Sequence, residues 1–160
     1  MSPEIEEGVC YTHEAALEKA IEMEEEGFRN YLYAIRMLED RQAKLILREA
    51  AIEELQHKQS VEKLLLDGYY EHDEKLAKPV PTMNLNYVFE QKKLEPNANA
   101  RQALAYAIHL EKAAADFYAR LIQGCEGAPM ADLFRRLLAD ETRHLKNLED
   151  FYERYFLAEN

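Results

Sequence analysis

The sequence predicts an all-α protein, a four-helix bundle built as two antiparallel helical hairpins joined by a long crossover. Four stretches repeat apolar residues at alternating spacings of three and four positions, the period of a helix with one buried face. Short connections at 39–41 and 124–128 join these stretches in pairs, which favours antiparallel neighbours. Residues 69–98 lack a sustained helical period and contain three prolines, so we assign them to the crossover.

The composition agrees with one soluble globular domain over residues 1–160. Apolar residues make up 48% and charged residues 32%, with only five glycines and five prolines, which excludes a disordered or collagen-like chain. The net charge of −11 argues against binding nucleic acid. No apolar run is long enough to cross a membrane, and no export signal is readable, so we expect a cytoplasmic protein that binds no membrane. Cys10 and Cys125 form no C-x-x-C pair and are expected to be free thiols, with a disulfide between them as the alternative.

Boundary residues place the first hairpin. The first helix is predicted at about 12–39, with Thr12 as its N-cap. The second is predicted at 41–67, capped by Asp40 and ended by Gly68.

The second hairpin has comparable signals. The third helix is predicted at 99–123, opened by Asn97 or Asn99 and closed by Gly124. The fourth is predicted at 129–157, with Pro129 in its first turn. A crossover of thirty residues can reach about 100 Å, enough to run the length of a bundle. The alternative is a linker between two two-helix domains, but an isolated helical hairpin buries little apolar surface.

Polar residues recur at a constant offset of 87 positions within the apolar stripes. The repeated pairs are Glu24 with Glu111, Tyr31 with Tyr118, Glu54 with Glu141, and His57 with His144. Each half therefore has a single Glu followed, thirty positions later, by the Glu of an E-x-x-H motif. A structural duplication would need to preserve only the apolar residues, so the repeated Glu and His indicate chemistry.

Four carboxylates on inward faces need counter-charges. Two like charges 4 Å apart repel by about 4 kcal/mol at an effective dielectric constant near 20. No Lys or Arg lies on these four faces, so the carboxyl pKa values must rise or cations must bind among them. Two divalent ions would balance four carboxylates, and Glu with His suits iron or manganese. The alternative is a relic site that now only packs.

Four short motifs surround these residues: AIEMEEEGFRNY at 20–31, EELQH at 53–57, AIHLEKAAADFY at 107–118 and DETRH at 140–144. Together they resemble the ferritin-like di-iron carboxylate superfamily, and within it the rubrerythrin-like branch. The resemblance covers about residues 12–157, crossover included, and implies a ferritin-like four-helix bundle with two iron ions.

The resemblance also implies roles for individual residues. Glu24 and Glu111 resemble the single-Glu ligands, and the other matching ligand positions are two bridging carboxylates and two terminal imidazoles: Glu54, Glu141, His57 and His144. Tyr31 and Tyr118 match tyrosines whose hydroxyls could reach carboxylate oxygens, although they could equally be core aromatics. Glu53 and Asp140 could orient the histidine of the opposite motif, or lie on a solvated face.

The chain departs from the family at two points. Rubrerythrins have a rubredoxin-like C-x-x-C module that this sequence lacks, so electrons would come from an external donor such as a rubredoxin. They also have an extra glutamate one turn after a single-Glu ligand, where this sequence has Gly27 and Ala114. We therefore expect a plain centre of four glutamates and two histidines.

The predicted function is a non-haem di-iron oxidoreductase that reacts with dioxygen or hydrogen peroxide, as a ferroxidase or peroxidase-like enzyme in oxidative-stress protection. One alternative is an iron-binding or storage-associated protein without turnover, and another is a helical interaction module without metal. We expect a homodimer, the commonest oligomer. An exchange of helical pairs between its chains is a further hypothesis.

Overall fold

The computed structural model describes residues 12–67, 94–127 and 130–157. Within these ranges the chain forms four α-helices and no strand: α1 (His13–Met37), α2 (Arg41–Asp67), α3 (Ala100–Gly124) and α4 (Met130–Tyr152). Helix α1 packs along α2, α3 packs along α4, and α2 also contacts α3. This arrangement confirms the predicted four-helix bundle.

The observed caps explain why the helices begin where they do. The Thr12 hydroxyl oxygen accepts a hydrogen bond from the Ala15 amide at 3.3 Å, and Asp40 Oδ2 accepts one from the Ala43 amide at 2.8 Å. At the start of α3, Asn99 forms a reciprocal capping box with Gln102. Because caps are local, the sequence located these starts correctly. Gly68, Pro129 and most of the predicted crossover lie outside the described residues.

The apolar core forms clusters toward the two ends of the bundle. One end is built around Leu17, Phe117 and Phe134. At the other end, one cluster surrounds Leu47, and a second one surrounds Leu104 and Leu145. In each helix, the glutamate predicted to face inward stands in the sequence between residues of the two ends. The fold therefore places four carboxyl groups in a layer between apolar clusters.

The end of α4 differs from the predicted single helix to residue 157. After Tyr152 the backbone continues as a π-helical turn, Glu153–Leu157. Tyr152 is buried and accepts a hydrogen bond from Arg101 Nε at 2.8 Å, and Phe156 packs against the same cluster as Tyr152. The π-helical turn thus begins directly after the residue that joins α4 to α3 by a hydrogen bond.

Cys125 follows α3, is 1% exposed, and is disulfide-bonded. The prediction of a free thiol is therefore wrong at this position, while Cys10 lies outside the described residues. Since disulfides persist mainly in oxidising compartments, the cysteines no longer support the cytoplasmic prediction. In the described part of the chain, every helix is too short or too polar to cross a membrane.

Candidate metal centre

Each of the four helices contributes one glutamate to the layer between the apolar clusters. Their exposed fractions are 4% or less, and they are Glu24, Glu54, Glu111 and Glu141. Across the described ranges, every buried charged side chain is a glutamate, so no buried lysine or arginine neutralises the group. Glutamate is almost never fully buried without a partner, which makes this cluster costly in the absence of cations.

The two E-x-x-H motifs meet at the centre of the bundle. Residues three apart lie on one helix face, so each motif presents its Glu and its His together. The rings of His57 and His144 stack with their centroids 4.2 Å apart and an interplanar angle of 18°. The structure therefore brings α2 and α4 together at the positions that the duplication indicates.

Three of the predicted ligands form a compact donor set. One donor atom from each of Glu24, His57 and Glu141 lies within 4.8 Å of the other two. His57 Nδ1 is 3.2 Å from Glu141 Oε1 and 3.5 Å from Glu24 Oε2. These side chains come from three helices, so the set exists only in the folded bundle.

The remaining ligand candidates adjoin this set. Glu54 interacts with both Glu24 and Glu111, so it lies near the two single glutamates. His144 Nδ1 lies 3.3 Å from Glu53 Oε2, without hydrogen-bond geometry. We call Glu24 with His57 the first half-site and Glu111 with His144 the second half-site.

Two buried tyrosines link the halves of the duplication. The Tyr31 hydroxyl donates to Glu111 Oε1 at 3.0 Å, and the Tyr118 hydroxyl donates to Glu24 Oε1 at 3.0 Å. Burial, followed by the nearby carboxylate charges, raises the pKa of both hydroxyls well above the usual value, so they remain protonated donors. Each tyrosine thus holds a carboxylate oxygen of the opposite repeat.

The carboxyl groups divide into two kinds by pKa. Burial, together with the charges of other glutamates, raises the pKa of Glu54 and Glu141 well above the usual range. Burial also acts to raise the pKa of Glu24, but its interactions with Glu54, His57 and Glu141 outweigh burial and lower that pKa to about 2. Without metal, Glu54 and Glu141 therefore hold their protons to a higher pH than Glu24 does.

The two histidines also differ in the direction of their pKa shifts. Burial acts to lower the pKa of His57, but the close Glu24 carboxylate and its charge outweigh burial and raise the pKa. Burial and the charge of His57 lower the pKa of His144. Only one imidazole of the stacked pair therefore favours the protonated form.

The buried polar atoms of the candidate metal centre are suited to binding cations. Four of them have no hydrogen-bond partner: Glu24 Oε2, Glu111 Oε2, Glu141 Oε2 and His144 Nδ1. Carboxylate oxygens and imidazole nitrogens are the donors that iron and manganese accept. A divalent ion would satisfy these atoms and replace the protons that the carboxyl groups hold.

The two residues predicted to orient the histidines behave differently. Glu53 Oε2 lies 3.3 Å from Nδ1 of His144 in the opposite motif, without hydrogen-bond geometry, so its orienting role stays a prediction. Asp140 instead pairs with Arg143 on its own helix, one turn later. The sequence placed an arginine three positions after Asp140, a spacing that favours such a pair and could have been noticed.

Two cavities of about 130 Å³ each reach the glutamate cluster. One is lined by Ser60, Arg136 and Asp140 and reaches His57. The other is lined by Gly27, Asn30 and Ala114 and reaches Glu54. The sequence did not indicate these openings because they form between helices that are distant in the chain.

A four-helix bundle with buried glutamates and two E-x-x-H motifs at its centre defines a ferritin-like carboxylate protein. The family model for rubrerythrin matches residues 15–152, and the chain belongs to the rubrerythrin family. This family typically binds a di-iron centre. No curated protein and no solved structure matches the chain.

Proposed function

We propose that this protein is a non-haem di-iron oxidoreductase that reacts with dioxygen or hydrogen peroxide. The observation that supports the proposal best is the layer of four buried glutamates around two stacked histidines, with no buried lysine or arginine in the described ranges. Such a layer has no structural benefit, since like charges repel and buried carboxyls lose hydration. Membership of the rubrerythrin family favours iron, and manganese has the same ligand preferences.

Six side chains would hold the two ions. Glu24 and His57 would bind one ion, Glu111 and His144 the other, and Glu54 and Glu141 would lie between them. Bound iron would supply one-electron redox chemistry and Lewis acidity. Glu54 and Glu141 would lose their protons when the ions bind, because their raised pKa values reflect burial and the neighbouring charges that the ions neutralise.

The tyrosines would keep the single glutamates in place during this exchange. Each hydroxyl donates to one carboxylate oxygen, so the second oxygen of that carboxylate remains available to an ion. The two cavities would admit a small oxidant to opposite parts of the cluster. We propose ferroxidase or peroxide-reducing activity in protection against oxidative damage, with electrons supplied by an external donor such as a rubredoxin.

The proposal is tested by anaerobic titration of metal-free protein with Fe(II), followed by addition of dioxygen or peroxide. We expect two ions to bind per chain and the bound iron to be oxidised rapidly, as measured by absorbance. Glu141→Ala should lose both properties, whereas Glu62→Ala, on the surface of α2, serves as the matched control and should retain them. Binding of fewer than about two ions per chain would reject the proposal.

A second assay separates catalysis from sequestration. Peroxide consumption is followed with a rubredoxin and its reductase present. Continuous turnover supports the oxidoreductase, whereas a single stoichiometric oxidation favours iron binding without turnover.

A further inference from the structure

Gly27 occupies an unusual position, in the interior of α1 and three residues after Glu24. Glycine is the least favourable residue in a helix interior after proline, because it loses the most backbone freedom on folding. A left-handed backbone does not explain it, since Gly127 is the glycine with positive φ in the described ranges. The remaining reason for a helical glycine is the close approach of another group.

That group is the carboxyl group of Glu54. A Cβ atom built on Gly27 would lie 2.9 Å from Glu54 Oε2 and 3.2 Å from Glu54 Cδ. Real Cβ atoms essentially never approach another heavy atom to less than 3.0 Å, so even alanine would displace this side chain. Glu54 is 4% exposed and interacts with Glu24 and Glu111, so a displacement of its carboxyl group would change these interactions.

We propose that Gly27 is a positioning residue of the metal centre: the missing side chain lets the Glu54 carboxylate lie between Glu24 and Glu111. The equivalent residue of the second repeat is Ala114, which lines the same cavity as Gly27. The second repeat therefore has a methyl group at the position where the first repeat has none. The close approach of Gly27 and Glu54 is a geometric observation, whereas its effect on metal binding rests on the proposed function.

The first test uses metal-free protein and thermal unfolding of four proteins: wild type, Gly27→Ala, Glu54→Asp and the double variant. If glycine had no role beyond the helix backbone, Gly27→Ala would raise Tm in both backgrounds, by about 2–4 °C. The proposal predicts a lower Tm for Gly27→Ala when Glu54 is present. It predicts a higher Tm when Glu54→Asp shortens the side chain and relieves the contact. Equal increases in both backgrounds would overturn it.

The second test is an anaerobic titration with Co(II), followed by absorbance. Wild type is expected to bind two equivalents, and Gly27→Ala to lose at least about tenfold in affinity for one of them. Gly124→Ala, the same change at the end of α3, is the matched control and should bind like wild type. Thirteen residues along the helix separate Gly124 from Glu111, about 20 Å.

The outcomes distinguish the two proposals. If wild type binds no Co(II), the proposed function fails, and the thermal cycle still decides the role of Gly27. If wild type and Gly27→Ala bind two equivalents with equal affinity, the inference about metal binding is overturned, and the proposed function stands.

Discussion

The two half-sites have the same residues at the same offset, but their histidines have different surroundings. His57 Nδ1 faces two carboxylates, Glu141 at 3.2 Å and Glu24 at 3.5 Å, and its pKa is raised. His144 Nδ1 lies 3.3 Å from Glu53, and its pKa is lowered by burial and by His57. A duplicated ligand set thus does not produce a duplicated electrostatic environment.

Flanking residues also differ between the half-sites, because the duplication did not preserve them. Asp140 stands where the first repeat has Glu53, and Arg143 stands where it has Gln56. Arg143 pairs with Asp140 within one turn of α4. The longer Glu53, with no arginine one turn later, reaches across to His144 instead. Two substitutions beside the ligands therefore accompany the different carboxylate neighbours of the two histidines.

The largest effect that we predict is a reversal of the pH dependence of Tm when the metal is removed. The raised pKa values of Glu54 and Glu141 mean that the folded metal-free protein binds more protons than the unfolded chain above pH 4.5. Their stabilising contribution is complete below that pH and is lost as the pH rises through the folded-state pKa values. The Tm of the metal-free protein should therefore rise as the pH falls from about 8 to about 5.

The metal-loaded protein should show the opposite slope, because protons compete with cations for the same carboxylates. Glu24, with a pKa of about 2, stabilises the fold above pH 4.5 and so affects the acid limb below this window. Calorimetric melts with chelator and with Mn(II) measure both slopes. Parallel slopes in the two states would contradict the account.

The next largest effect distinguishes the two histidines. In metal-free protein at about pH 6, His57→Ala removes a partner with a raised pKa from the buried Glu24 carboxylate and should cost about 3 kcal/mol. His144→Ala removes an imidazole whose lowered pKa favours the neutral form, and should cost about 1 kcal/mol. Urea unfolding in the presence of chelator gives both values. Equal losses of unfolding free energy in the two variants would contradict the predicted electrostatic difference between the half-sites.

We predict that the two buried tyrosines contribute equally to stability, unlike the two histidines. Tyr31→Phe and Tyr118→Phe each remove one donor to a carboxylate at 3.0 Å, a loss of about 2 kcal/mol. Tyr33→Phe, at a side chain that is 69% exposed, is the control and should change nothing. Unfolding free energies that differ by more than about 1 kcal/mol between the two buried variants would show that the bonds are unequal.

The smallest predicted effect concerns the flanking acids. Glu53→Gln should weaken binding of one ion by about tenfold, since Glu53 lies beside the imidazole of the second half-site. Asp140→Asn should weaken binding less than about threefold because Asp140 pairs with Arg143. Isothermal titration with Mn(II) compares the two variants. A larger loss in Asp140→Asn would mean that metal binding reorganises this pair.

Local features were predictable from the sequence, whereas contacts between distant segments were not. Thr12, Asp40 and Asn99 could be recognised as caps because a cap depends on a few consecutive residues. The inward glutamates could be recognised because polar residues interrupted a helical apolar period. The bonded state of Cys125 and the contact of Gly27 with Glu54 depend on how segments pack, and no local pattern encodes them.

The most direct measurement is the location of bound ions by anomalous scattering, in crystals of protein loaded anaerobically with Fe(II). We predict two peaks within the bundle: one beside Glu24 and His57, the other beside Glu111 and His144, with Glu54 and Glu141 between them. Peaks confined to the acidic surface, or no ordered iron at all, would contradict the metal centre.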